Sequence, residues 1–85
     1  MAFAQEKYCI IKSVKHAFSS KVDIRADFGM DINFSKEFET VEKYSSVVDA
    51  MNYMATHGWE LVNSIASANT LEMHHIMKKR IMETI

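Results

Sequence analysis

Proline is absent from these 85 residues, and there are only two glycines, one cysteine and one tryptophan. With so few turn-forming residues the chain carries little punctuation, so element boundaries must come from hydrophobic periodicity. A lone Cys9 excludes an internal disulfide and fits a reducing compartment. A net charge of −1 gives no excess of lysine and arginine, which argues against a general nucleic-acid binder. No apolar run approaches the ~20 residues of a membrane span. The opening Met-Ala-Phe-Ala-Gln-Glu-Lys lacks the basic and apolar regions of a secretory signal, so a cytoplasmic location is expected.

What is present is an ordinary globular composition, 48% apolar and 25% charged, which places the chain as one domain spanning residues 1–85. A domain this small buries only about 60% of its unfolded surface, and pairing with a second copy is a common remedy. The expected partner is therefore the chain itself, as a homodimer or higher assembly.

Lys7 to His16 reads as a first strand, with Tyr8, Ile10 and Val14 on one face and Cys9 and Ile11 on the other. A turn is expected at Ser19-Ser20-Lys21. Val22, Ile24, Ala26, Phe28, Met30, Ile32 and Phe34 then alternate with polar residues, a strand pattern too long for one straight strand. Gly29 therefore marks a bend or a corner, and a bend keeps the alternation in phase. Lys36 to Lys43 reads as an exposed connection anchored by Phe38 and Val41, with a short edge strand around Glu39 to Lys43.

Ser46 with Asp49 is a weak capping box, and Val47, Ala50, Met51, Met54 and Ala55 form one helical stripe. Gly58 stands where a left-handed residue ends a helix. Trp59 to Ala68 is a strand with apolar groups on both faces: Trp59, Leu61 and Ile65 on one, Val62, Ala66 and Ala68 on the other. One face can meet the helix; the second calls for a partner subunit. After a turn at Asn69, Leu71 to Lys79 returns with Leu71, Met73, His75 and Met77 facing one way. Glu72, His74, Ile76 and Lys78 face the other. Arg80 to Ile85 shows no pattern and is expected to fray.

Chemistry-bearing motifs are sparse. Asp27-Phe28-Gly29 matches a kinase tripeptide by chance, since no phosphate loop or catalytic loop accompanies it. His74 and His75 point to opposite strand faces and cannot chelate one ion together; His16 or His57 could join either one only through tertiary contacts, with Cys9 as the thiolate. Cys9 reads as a buried strand residue rather than a nucleophile, and Met51, Met54, Met73 and Met77 as a soft core. Lys78-Lys79-Arg80 alternate in direction and make no patch. No catalytic residue, metal site or cofactor site is expected.

At His57-Gly58-Trp59-Glu60-Leu61-Val62 the chain resembles a family of very small bacterial proteins with no established activity. Their signature is a short helix running into Gly-Trp-Glu-Leu/Phe-Val, then a hairpin with a Leu-Lys-Arg-like tail. Ser46 to Met54 matches the helix, Gly58 to Val62 the box, Ile76 to Arg80 the tail, and Tyr8 to Val14 the opening strand. The long Val22 to Phe34 stretch departs from the shortest members. The resemblance implies a β-β-α-β-β order and no catalytic residue or cofactor.

The expected fold is thus α+β: a curved antiparallel sheet of four to five strands with one helix on one face. Three functions follow from these residues: a non-enzymatic interaction or accessory module, motivated by the two apolar faces at Trp59; a small-ligand binder using Trp59, Tyr53 or His75 between sheet and helix or at a subunit junction; and an enzyme or metalloprotein using histidine and Cys9. The first has the most behind it.

Overall fold

The computed structural model describes residues 2–16, 20–30, 35–67 and 71–84. The chain runs β1 (Ala2–Lys15), β2 (Val22–Asp27), α1 (Ser35–Val41), α2 (Val47–Thr56), β3 (Trp59–Ala66) and β4 (Glu72–Thr84). The strands form one antiparallel sheet in the order β2-β1-β4-β3. The α+β class stands, with four strands and two helices among the described residues.

Both helices lie on one side of the sheet. They cover a core of Cys9, Ile11, Ile24, Phe28, Val41, Ala50, Met54, Trp59 and Met77. The covered face of β1 is therefore that of Cys9, Ile11 and Ser13, while Tyr8 is exposed and Ile10 and Val14 are half-buried on the open face. Of the four methionines expected inside, Met54 and Met77 are buried, Met51 packs against the core and Met73 stays exposed.

The long alternating stretch does not continue as a bent strand. β2 stops at Asp27, and Gly29 takes φ +71° while its N–H donates to Asp27 Oδ1 at 2.9 Å. A side chain hydrogen-bonding its own backbone two residues on competes directly with a ladder bond, and it turns the chain out of the sheet here. Residues 31–34, the far end of that stretch, lie outside the described residues, as do Ser19, Ala68, Asn69 and Ile85.

The segment expected to be an exposed connection with an edge strand is helix α1. Phe38 and Val41, three apart, form its inward stripe, and Val41 is fully buried. Glu37 lies in the first turn, where the helix end is positive. The two isolated anchors were a helix period too short to stand out.

α2 is capped as its residues require. Ser46 is extended and its hydroxyl accepts from Asp49 N at 3.4 Å. Gly58 closes the helix at φ +89°, its N–H donating to Ala55 O at 3.0 Å. A Cβ at Gly58 would lie 3.5 Å from Lys79 Cε, an ordinary contact, so space is not the constraint. Gly58→Ala is expected to cost about 1–2 kcal/mol through left-handed strain alone, read as a lower urea midpoint with an unchanged m-value.

The C-terminal residues pair rather than fray. β4 is held against β1 from Val14↔Glu72 to Ala2↔Thr84. β2 joins β1 only from Ile10 onward and β3 leaves β4 at Lys79, so Ala2–Glu6 with Arg80–Thr84 forms a bare two-stranded ribbon.

Candidate functional site

Three places concentrate the residues that could act: the Trp59 corner, the His75 row and the outer surface of β3. Trp59 is 2% exposed and sits at the junction of α1 and the sheet. Its indole N–H donates to Glu37 Oε2 at 3.3 Å, and its ring meets Phe28 edge-on at 5.4 Å between centroids. Lys79, its cross-strand partner, holds its ammonium 5.7 Å from the ring centre and 3.8 Å from Glu37 Oε1. The corner is filled and self-satisfied, so Trp59 anchors α1 to β3 and β4 rather than facing a ligand.

Tyr53 is likewise occupied, packed against Tyr44 at 5.6 Å and His57 at 4.4 Å between ring centres. An open depression of about 400 Å³ lies instead among Tyr8, Cys9, Ile10, Asp27, Phe28, Gly29 and Ile76. Trp59, Tyr53 and His75 do not line it.

His75 is buried on the helix-covered face of β4 and bridges two hydroxyls. Its Nε2 lies 3.1 Å from Ser13 Oγ on β1 and its Nδ1 2.8 Å from Ser64 Oγ on β3. A neutral ring donates to one serine and accepts from the other. Burial pushes the His75 pKa below its ordinary value, and the neighbouring His74 lowers it further. A serine on a neutral histidine has the outline of a nucleophile and its base. The Ser64 N–H donates to Asn63 Oδ1 at 2.9 Å. The arrangement acts as a clamp that ties β1, β4 and β3 in one row.

The remaining candidates are dispersed. Cys9 is buried, and burial, with the Glu37 and Asp27 carboxylates adding, pushes its thiol up to about 12. A thiol so protonated is a poor nucleophile and a poor metal ligand. His16 pairs with Asp23 at 3.0 Å, and His57 caps α2 with Nδ1 3.0 Å from Tyr53 O. His74, on the open face, has Nε2 3.5 Å from Glu72 Oε2, an ion pair only when protonated and outside hydrogen-bond geometry. Among the described residues no three His, Cys, Asp or Glu side chains gather as a metal ion would need. Lys78 lies between Glu6 at 3.9 Å and Glu60 at 3.5 Å, while Lys79 turns to Glu37. Among the described residues no helix is long and apolar enough to cross a membrane.

β3 is where burial fails. Past Trp59 every residue of the strand is exposed: Leu61 52%, Val62 50% and Ile65 48%. Leu71, just before β4, and Met73, at its start, add 41% and 38%. A bulge between Leu61 and Asn63 explains why apolar groups point both ways. Leu61 pairs with Met77 on the helix side, but Ile65 pairs with His74 on the open side. The bulge thus separates Ile65 from the face of Trp59 and Leu61, where strict alternation had placed it. Neither the bulge nor the serine clamp was read from the sequence. Ser13 and His75 as polar residues on otherwise apolar faces were the available signal for the clamp.

Searches against protein-family models, curated proteins and solved structures return no match for this chain.

Proposed function

We propose that this chain is a small, non-enzymatic interaction or accessory module of a bacterial cytoplasm that works as a homodimer or higher assembly of itself. Kinship with the small proteins that share its Gly-Trp-Glu-Leu-Val box belongs to the same proposal, as does the absence of nucleic acid, membrane or cofactor from its work. The observation that carries the reading is the apolar surface of β3. Five large side chains, Leu61, Val62, Ile65, Leu71 and Met73, stay exposed along one strand and its hairpin. Single exposed hydrophobics are ordinary, but a run on one edge of a small domain marks a contact surface. Trp59 and Tyr53 are engaged in packing and do not line the open depression beside Tyr8 and Cys9, which leaves the small-ligand reading second. Light scattering on a size-exclusion column is expected to give a mass above 9.8 kDa that rises with loading concentration. A mass fixed at one chain at every loading would remove the proposal.

A further inference from the structure

We infer that two copies join edge to edge through β3, antiparallel about a two-fold axis at Ile65, so that their sheets become one. This rests on the self-association reading above and specifies its geometry. β2 and β3 are the two edges of the sheet, and the chain treats them differently. Along β2, Val22 N–H donates to Ser45 O at 3.0 Å and Ala26 N–H to Glu42 Oε2 at 2.9 Å. Charged Asp23 and Arg25 stand between them, and Asp27 follows. That edge is capped and guarded by its own chain. Residues 61–66 of β3, Leu-Val-Asn-Ser-Ile-Ala, carry no charge and no proline. Charge and proline are two of the devices that keep natural edges from pairing, beside bulges, short length and cover. The guards on β3 are lighter: Glu60 before this segment, the Val62 bulge, and the Asn63 side chain on the Ser64 N–H; the four residues after the bulge keep regular pairing with β4.

The backbone fixes which groups an incoming strand would meet. Ser67 N–H donates to Glu72 O, so Ser67 faces β4. Antiparallel ladders alternate, so Ile65 also faces β4 while Ser64 and Ala66 turn their N–H and C=O outward. The Ser64 N–H, bonded to the Asn63 side chain, is consistent with that direction. With the axis at Ile65, Ser64 of one copy meets Ala66 of the other, and each pair exchanges two hydrogen bonds. The Asn63 amide is displaced, one hydrogen bond replacing another. Ile65 then faces Ile65 on the open side in a non-hydrogen-bonded pair, where side chains approach closest. Moving the axis to Ser64 would set Ile65 against Asn63 and lose that contact.

A second copy is the occupant that this edge fits. The segment is self-complementary about Ile65, with small and apolar residues opposite each other and no charge opposing its own kind. Met73 lies beside Ala66 on the helix side and extends the contact to the next strand. The paired segment is short, so the total area falls at or below the roughly 1,200 Å² of the smallest stable complexes. The dimer is accordingly reversible.

Ile65→Cys tests the register directly. Non-hydrogen-bonded partners lie about 4.5 Å apart at Cα, within disulfide reach. Under mild oxidation this variant is expected to form a covalent dimer. Val48→Cys, on the exposed side of α2, should not, and the buried native Cys9 stays silent in both. Ile65→Lys, a charge on the axis facing its own copy, should shift the wild-type dimer to monomer and remove protection of the Ala66 amide from exchange. If the wild type associates but Ile65→Cys links no faster than Val48→Cys and Ile65→Lys associates normally, the edge is wrong and self-association stands. If the wild type is monomeric at every concentration, both fall.

Discussion

Trp59→Ala is expected to remove a large share of the domain's stability, seen as a urea midpoint far below that of wild type. Truncating a buried tryptophan costs about 3–5 kcal/mol. A domain of 85 residues has roughly 4–13 kcal/mol to lose, and one this small sits toward the lower end. The indole is also where three elements meet. Its loss removes the edge contact with Phe28 and the N–H that Glu37 accepts, and takes away the ring beneath the Lys79 ammonium. Trp59→Phe keeps much of the ring packing and drops the hydrogen bond, so a smaller loss of about 1–2 kcal/mol is expected. Far-UV circular dichroism through a urea titration is the measurement, because both variants remove the only tryptophan fluorophore. Near-equal stability of Trp59→Ala and wild type would mean that this corner does not hold α1 to the sheet.

The second large effect is a stability window bounded on both sides by buried titratable groups. His75 has its folded pKa held below the ordinary 6.5, by burial first and His74 second. Its contribution is present above 6.5, and is lost as pH falls through the depressed folded value, since the unfolded chain takes up the proton first. Cys9 works in the opposite sense. Its thiol is raised from 9.0 to about 12, so its contribution is complete below 9 and is lost as pH rises toward 12. Three pKa units correspond to at most about 4 kcal/mol. The urea midpoint should therefore be flat between about pH 7 and 9, falling on either side. Cys9→Ala is expected to lower the plateau through its small cavity but to flatten the alkaline limb. His75→Gln, which can still bond Ser13 and Ser64, should flatten the acid limb. An alkaline limb unchanged in Cys9→Ala would show that another group sets it.

Much of this fold is legible in the residues, and the failures have specific causes. The α2 stripe, its Ser46 cap and the Gly58 stop sit where local chemistry places them, because each signal is short-range and each agrees with the next. The strand from Trp59 and the alternation of β4 hold for the same reason. Where reading failed, a tertiary choice decided. Periodicity cannot say which face of β1 the helices will cover, and Lys12 among Tyr8, Ile10 and Val14 was the hint that it would be the Cys9 face. Gly29 fills a polar place in an unbroken alternation, so the pattern gives no stop, and its positive φ with the Asp27 side-chain bond turns the chain there. The seven residues of α1 offer two apolar positions, too few to establish a period. The open surface on the Trp59 strand was visible as apolar residues on both faces, but a bulge, invisible in one-dimensional alternation, decides which residues share a face. The pairing of Arg80 to Thr84 had no signal at all, since ribbon pairing there is carried by backbone groups that every residue has.

Self-association through β3 is the claim on which the rest turns, and sedimentation velocity of wild type beside Ile65→Lys tests it most directly. Across loadings from low micromolar to near-millimolar, the wild-type boundary should move from monomer toward dimer while the variant stays monomeric with an unchanged fold. Two boundaries that coincide at every loading, whether both monomeric or both dimeric, would contradict it.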